Sequence, residues 1–366
     1  MCSSDLCLQP ADSLSALADC DLVVEAIVER LEAKRELLLA LEAVLREDAI
    51  LASNTSSLSV TAMAAVCQRP GRVAGWHFFN PVPLMKIVEV VAGTLTEPWV
   101  CDTLLALAKR LGHTGVLARD LPGFIVNHAG RGFAPEGLRI LSEGVADVQT
   151  VDRILRDVAG FRMGPFELMD LTGLDVTQPA SGLIYSQFFY EQRYRPSLIM
   201  QARYEAGVLG RKTKKGFYTY DAEMKMGQPA EKPAPAARPD SVWVSPAEAS
   251  GAAKLKELLL KLGANVEQGA QPSAKAMILV TPVGEDATTA ATAQGLDPKR
   301  VIAVDTLFPM VKRRTIMTTP LTDPAMRNAA HGLLASDGVP VTVCRDSPGF
   351  IAQRIVAMIE IGRAHV

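Results

Sequence analysis

Asp21-Leu22-Val23-Val24-Glu25-Ala26-Ile27-Val28 is a short apolar run with β-branched residues, and it predicts a buried strand of a parallel sheet. The stretch that follows, 31–46, is rich in Leu, Ala, Glu, Lys and Arg and predicts a helix covering one face of that sheet. The alternation continues with a strand over 49–52, a short helix over 59–66, strands over 72–78 and 86–91, a helix over 97–111 and a strand over 114–117. Strands alternating with helices imply an α/β fold with a doubly wound parallel sheet of Rossmann-like form. Residues 122–220 carry long helical patterns and few strand signals, so an all-α domain is expected after the sheet.

Residues 226–240 contain four prolines and no apolar periodicity, which reads as a linker. Beyond it lies a degenerate repeat of the first half, found by sliding the chain on itself. Residues 278–300 align without a gap on 50–72, and Asp346-Ser347-Pro348-Gly349-Phe350-Ile351 falls on Asp120-Leu121-Pro122-Gly123-Phe124-Ile125. The same register turns Ser56 into Gly284, His77 into Asp305 and Asn127 into Gln353, and puts Glu89 near Thr315, so the second copy is expected to be catalytically empty. The expected domains are an incomplete nucleotide-binding domain at 7–119, a helical domain at 120–222, a linker at 223–243, the degenerate repeat at 244–344 and the start of a second helical domain at 345–359. Residues 1–6 and 360–366 match what a sequencing adapter would encode if read as protein, and are expected to be scars on a fragment cut at both ends.

Bulk properties narrow the function classes. The net charge is −2 and no run of Lys or Arg stands out, so a nucleic-acid partner has no electrostatic footprint. Six cysteines are scattered without a CxxC pair, which favours a reducing cytoplasm with no disulfide framework and no metal site. No apolar run is long enough to span a bilayer, and the basic-then-apolar layout of a signal peptide is missing, so no membrane role is expected.

Four polar residues stand in apolar frames: Ser56 in Asn54-Thr55-Ser56-Ser57, His77 in His77-Phe78-Phe79-Asn80-Pro81, Glu89 in Lys86-Ile87-Val88-Glu89-Val90-Val91, and Asn127 in Pro122-Gly123-Phe124-Ile125-Val126-Asn127. A carboxylate inside a strand-like apolar run is costly unless paired, and His77 is its nearest candidate partner in sequence. A carboxylate that orients an imidazole makes a general base near neutral pH. The bland alternatives are a structural histidine, a glutamate on a solvated strand face, a Ser56 that caps the following helix and an Asn127 bonded to a neighbouring helical turn.

These frames, in this order and spacing, resemble the 3-hydroxyacyl-CoA dehydrogenases, the NAD-dependent enzymes of fatty-acid and aromatic-acid β-oxidation. Further matches are Asp21-Leu22-Val23-Val24-Glu25-Ala26-Ile27-Val28-Glu29, Met163-Gly164-Pro165-Phe166-Glu167-Leu168-Met169-Asp170 and Gly210-Arg211-Lys212-Thr213-Lys214-Lys215-Gly216-Phe217-Tyr218. The resemblance is nearest to bacterial members that carry an extra partial copy, a group including enzymes of phenylacetate breakdown that act on 3-hydroxyadipyl-CoA. It implies oxidation of an (S)-3-hydroxyacyl-CoA to the 3-oxoacyl-CoA, with hydride passing to NAD and His77 as the base. Glu89 would support the imidazolium, and Ser56 and Asn127 would polarise the reacting oxygens. By resemblance, Glu29, Lys34, Asn80 and Lys212 line the cofactor site with Ser56, and the full-length protein is a homodimer. Taken alone, Lys34 and Lys212 read as solvated charges.

Three departures limit the match. No glycine-rich dinucleotide turn, with its ribose-binding acid some twenty residues on, occurs before Asp21, so the chain as given is expected to be inactive. His128 stands where the family often has Arg, and Lys214 where a Gly is common. The competing readings are a related β-hydroxyacid dehydrogenase with a lysine base, and a non-catalytic dimerisation scaffold of the same fold.

Overall fold

The computed structural model describes residues 9–130, 132–227, 230–231 and 233–365, the side chains of 362–365 excepted. The chain divides into two compact units, one formed by the residues up to 130 with 183–190, the other by 132–182 with 191–361.

In the first unit the predicted alternation is present as β1 (Leu22–Glu25), α1 (Leu31–Glu42), β2 (Ile50–Ser53), α2 (Val60–Ala64), β3 (Val73–Phe78), β4 (Ile87–Ala92), α3 (Pro98–Arg110), β5 (Thr114–Arg119) and α4 (Val126–Gly130). The strands lie in the order β1-β2-β3-β4-β5. β1, β2 and β3 are parallel, but β4 pairs antiparallel with β3 and β5 follows β4 in parallel. The expectation of a wholly parallel sheet is corrected here, for a simple reason. The short loop from Phe79 to Lys86 holds no helix, whereas a parallel return needs a crossover of a dozen or more residues. Among the described strands the order also runs one way, so the reversal that defines double winding is not within this sheet. The α/β, Rossmann-like assignment itself stands.

The second unit opens with α5 (Phe133–Ser142), α6 (Val148–Asp157), α7 (Pro165–Thr172), α8 (Leu174–Gln187, divided between the units) and α9 (Leu198–Glu205). It continues with β6 (Val242–Val244), α10 (Ala249–Lys261), β7 (Met277–Val280), α11 (Ala287–Ala293), β8 (Val301–Val304), β9 (Arg314–Thr318), α12 (Pro324–Leu334), β10 (Val341–Arg345) and α13 (Ala352–His365). The second sheet repeats the first, including the antiparallel third-to-fourth pair. The helical segment and this sheet share one core, in which Phe133, Ile154, Phe166 and Tyr218 join Ile278, Val301, Phe350 and Ile355. α13 approaches the start of α5 so closely that a Cβ on Gly132 would overlap the Met358–Ile359 backbone. Residues 1–6 and 366 lie outside the description, while Glu360–His365 continue α13.

Two of the family frames serve packing. Buried Asp170 accepts from the Phe217 and Tyr218 amides (2.8 and 2.9 Å) and the Tyr220 hydroxyl (3.0 Å), and a Cβ on Gly216 would overlap its carboxylate. Asp152 does the same for the first turn of α7, accepting from the Phe166 and Glu167 amides and the Tyr218 hydroxyl. Lys214, where a Gly is common, takes φ +58, a left-handed conformation that costs a non-glycine residue about 1 kcal/mol. The described residues of the proline-rich stretch form no helix or strand but are anchored: Arg238 donates to the Leu262 carbonyl, and the Pro235 and Ala237 carbonyls occupy the space above Gly332 on α12. Among the described residues no helix is long and apolar enough to cross a membrane.

Equivalent hydrogen bonds in the two copies fix a repeat register that differs by one residue from the sequence alignment. The Ile50 amide donates to the Asp21 carbonyl as the Met277 amide does to Ser241, which places Met277, not Ile278, on Ile50. α2 and α11 are capped alike by Ser59 and Asp286, and the carboxylates of Asp120 and Asp346 bind the first amides of the two helices. Arg72 and Arg300 also correspond, each donating to the carbonyl ahead of the second strand, Ala49 or Ala276. The second copy therefore carries one extra residue between α11 and Arg300. Before that point the register shifts by one, so Ser56 lies on Val283 and not on Gly284.

Candidate active site

The antiparallel turn from β3 to β4 builds the centre of the site by placing His77 directly across from Glu89. Side chains of directly opposed residues share a face of the sheet, so the imidazole and carboxylate meet. His77 Nδ1 lies 2.7 Å from Glu89 Oε2, with the His side chain 6% and the Glu side chain 0% exposed. The solvated-face reading of Glu89 is thereby excluded.

A fully buried carboxylate needs more than one partner. Glu89 Oε1 accepts from the amides of Ile125 and Val126, both at 2.9 Å. These amides are aimed by the Pro122-Gly123-Phe124 turn, where Gly123 and Phe124 take φ of +80 and +51 just before α4. The first-turn amides of a helix have no intrahelical acceptor, so a carboxylate there answers two deficits at once. Phe124 also packs edge-on against the His77 ring at 5.8 Å, and the Phe79 ring lies tilted against it at 4.5 Å. His77 Nε2 has no partner among the described residues, which leaves it available to a ligand.

Asn127 follows these amides on α4, half-buried, and its Nδ2 donates to the Ser56 carbonyl at 3.3 Å. Contacts thus join all four candidates into one cluster: His77 to Glu89, Glu89 to the turn before Asn127, and Asn127 to Ser56. Ser56 does not cap the following helix, since Ser59 does so by accepting from the Ala62 amide at 3.1 Å. The Ser56 hydroxyl has no partner among the described residues.

Of the residues assigned to the cofactor by resemblance, Glu29, Lys34 and Ser56 form one connected group. Asn80 is exposed at the cis Asn80–Pro81 bond, three positions beyond His77. Glu29 Oε1 accepts from the Thr55 hydroxyl (2.6 Å), the Ser56 amide (3.0 Å) and the Ser57 hydroxyl (3.1 Å). Lys34 is buried, with its ammonium 2.9 Å from both Glu25 oxygens and 3.3 Å from Glu29. The reading of Lys34 as a solvated charge is wrong, and the clue was present: Lys34, Leu38 and Leu41 form one i, i+4, i+7 stripe on α1. Lys212 belongs to the second unit, where it pairs with Asp175 at 2.7 Å. His128, the other departure, is buried and packs its ring on Phe188 at 5.1 Å.

Sequence reasoning missed several residues that shape this site. Asn54 Oδ1 accepts from the Phe78 amide at 2.8 Å and ties the end of β2 to the end of β3. Asp120 accepts from the Val60 and Thr61 amides and the Ser59 hydroxyl, and its retention as Asp346 in the repeat was a usable signal. Gln187 donates to the Ser57 carbonyl at 2.9 Å, and with Ser57, Ser59, Asp120, Pro122 and Phe189 it lines a cavity of about 310 Å³. Among the described residues no group of three or more His, Cys, Asp or Glu side chains is placed to hold a metal.

A buried imidazole–carboxylate pair on a Rossmann-like sheet is suited to general-base chemistry, as in dehydrogenases that place a ligand at the carboxyl ends of the strands. The NAD binding domain of 3-hydroxyacyl-CoA dehydrogenase matches residues 7–121, and the C-terminal domain of the same enzymes matches 123–220. The chain belongs to the 3-hydroxyacyl-CoA dehydrogenase family. It is 37% identical to 3-hydroxyadipyl-CoA dehydrogenase of Escherichia coli over 96% of its own length and 68% of that protein. It is 41% identical to 3-hydroxybutyryl-CoA dehydrogenase of Bradyrhizobium diazoefficiens, over 57% of this chain and 71% of the relative. Among solved structures, a 3-hydroxybutyryl-CoA dehydrogenase from E. coli superposes with a TM-score of 0.78 at 34% identity, covering 96% of this chain and 68% of the other. An (S)-3-hydroxybutyryl-CoA dehydrogenase from Ralstonia eutropha gives 0.56 at 36% identity, covering 58% and 74%.

Proposed function

We propose that this protein oxidises an (S)-3-hydroxyacyl-CoA to the 3-oxoacyl-CoA with NAD, using the His77–Glu89 pair as its general base. The observation that carries the reading is the 2.7 Å contact between a buried imidazole and a carboxylate that is itself held by two backbone amides. With Nδ1 donating to Glu89, the lone pair of His77 sits on Nε2, where it takes the proton of the substrate's 3-hydroxyl. Glu89 stabilises the imidazolium so formed and fixes the ring's orientation. The Ser56 hydroxyl and the Asn127 amide donate to the oxygen as it becomes a carbonyl. The residues present suit the nicotinamide end of the cofactor: the Ser56 hydroxyl just beyond β2 and the His77 ring nitrogen near the end of β3 have no partner among the described residues. NAD, when bound, supplies the hydride acceptor.

Similarity to a 3-hydroxyadipyl-CoA dehydrogenase over nearly the whole chain supports a dicarboxylic thioester and a place in phenylacetate or fatty-acid β-oxidation. We further propose a homodimer in the bacterial cytoplasm, which sedimentation and fractionation of the natural protein test. That the 366 residues by themselves do not turn over is a separate proposal, which calorimetry showing ordinary NAD affinity would overturn. The function is tested by assaying the natural protein on a panel of (S)-3-hydroxyacyl-CoA thioesters with NAD. Reduction of NAD by at least one of them is expected, and none across the panel would favour a non-catalytic scaffold of the same fold.

A further inference from the structure

The loop that carries Ser56 is fastened from beneath by a charged triad. Glu29 Oε1 gathers three donors from Thr55, Ser56 and Ser57 on one oxygen. Lys34, 1% exposed, lies against the other oxygen of Glu29 and against Glu25, whose side chain is also 1% exposed. The Ser53 hydroxyl, at the end of β2, closes the set by donating to Glu25. Burial works to raise the Glu29 carboxyl, yet the Thr55 hydroxyl, the Lys34 charge and the Ser56 amide outweigh it and hold it below the ordinary glutamate value.

A buried lysine shared by two carboxylates is an expensive way to pack a helix on a sheet, and apolar side chains commonly do it as well or better. The second copy shows that this fold manages without it. In the corrected register Glu25 becomes Ser245 and Thr55 becomes Pro282, and α10 buries Gly251, Ala252, Leu255 and Leu259 with no charge among them. The copy that lost the histidine, the glutamate and the serine also lost the triad, while keeping the strand order and the carboxylate cap on the helix after the second strand. Fold stability alone therefore does not account for Lys34.

We propose that Lys34 is a positioning residue that presses the Glu29 carboxylate onto the Thr55–Ser57 backbone and so fixes the direction of the Ser56 hydroxyl toward substrate. The proposal rests on Ser56 being a substrate-side donor. Lys34 does not touch substrate itself. It acts through Glu29, and Glu25 shares its charge so that a lone cation is not buried. Without Lys34 the buried Glu25 and the partly exposed Glu29 carboxylates are left with no cation between them, and the loop is released as one of them protonates or withdraws.

The test uses the full chain with Lys34→Met, Thr55→Val and the conservative Thr55→Ser. Hydrogen exchange at the Ser56 amide needs no catalysis, so it reads the loop even if the dehydrogenase reading fails. Exchange about tenfold faster is expected in Lys34→Met and Thr55→Val, with the wild-type rate kept in Thr55→Ser and at the Ile125 amide, which Glu89 holds. Binding of acetoacetyl-CoA, the probe for a 3-oxoacyl thioester, should weaken about five- to tenfold in the first two variants and recover in Thr55→Ser. Thr55→Val removes one hydroxyl and leaves the ion pairs, so it decides the matter if Lys34→Met does not fold. A Ser56 amide as protected in Thr55→Val as in the wild type would overturn the proposal. So would a loosened loop with unchanged thioester binding.

Discussion

Removing the charge of Glu89 should have two different consequences, depending on what replaces it. Three donors converge on this carboxylate: His77 Nδ1 at 2.7 Å and the Ile125 and Val126 amides at 2.9 Å. Glu89→Ala strands both amides in a buried place, and each unmet buried donor costs about 1–3 kcal/mol, so a loss of roughly 2–6 kcal/mol is expected before any cavity is counted. The imidazole adds little to this sum, because it moves its proton to the other nitrogen. Glu89→Gln keeps an oxygen for the amides and loses the charge, which lowers the expected cost to about 1–2 kcal/mol. Its amide nitrogen faces His77 Nδ1, however, and forces the tautomer in which Nε2 carries the proton and is no longer a base. Native-state hydrogen exchange of Trp76 and Val90, paired across β3 and β4, reads the opening free energy of this part of the sheet without assuming that the whole chain unfolds together. Glu89→Ala should destabilise far more than Glu89→Gln, while both abolish most turnover in the natural enzyme. If Glu89→Ala changed the opening free energy by less than about 1 kcal/mol, the three-donor account of the dyad would be wrong.

Four further outcomes are expected. Burial pushes the Asp152 carboxyl up to about 7 from 3.8, so between these values the folded chain binds a proton that the unfolded chain has released. Stability should therefore fall as pH rises across that window, by on the order of 1 kcal/mol per unit, and urea denaturation of Asp152→Asn should lack that slope. Burial likewise raises the Asp305 carboxyl, and Asn at that position can still accept from Gln353 and the Leu307 amide, so Asp305→Asn should be as stable as the wild type or more so at pH 8. In a His77→Gln background the residual dehydrogenase activity should be indifferent to Asp305→Ala, because among the described residues Asp305 is bonded to Gln353 and the Leu307 amide and to no imidazole; a further large loss would show the second copy to be active. Gly216→Ala sets a methyl group against the Asp170 carboxylate and should lower thermal stability by about 1–3 kcal/mol.

The elements of the first sheet were legible because their apolar runs and helical stripes are strong local signals, and the second sheet was legible only as a repeat of the first. The direction of β4 was not, since a strand buried on both faces reads the same whichever way it runs. Only the short, helix-free loop before it carried that information. The His77–Glu89 pair was legible because a lone carboxylate in Ile87-Val88-Glu89-Val90-Val91 demands a partner, whereas the two amides that complete it come from a turn whose geometry depends on positive φ at Gly123 and Phe124. The bland reading of Lys34 as a solvated charge failed because a lysine among good helix formers is ordinarily solvated, and what pairs it in the interior is a tertiary partner, Glu25, on a different element. The one-residue slip in the repeat alignment arose because apolar strands of similar composition match nearly as well one place off, while hydrogen bonds do not.

The most direct test of the dyad is steady-state turnover of an (S)-3-hydroxyacyl-CoA with NAD by the natural enzyme and its His77→Gln variant, alongside thioester binding. The account predicts that kcat falls by about two to four orders of magnitude while thioester affinity changes little. Near-normal turnover by His77→Gln would contradict it.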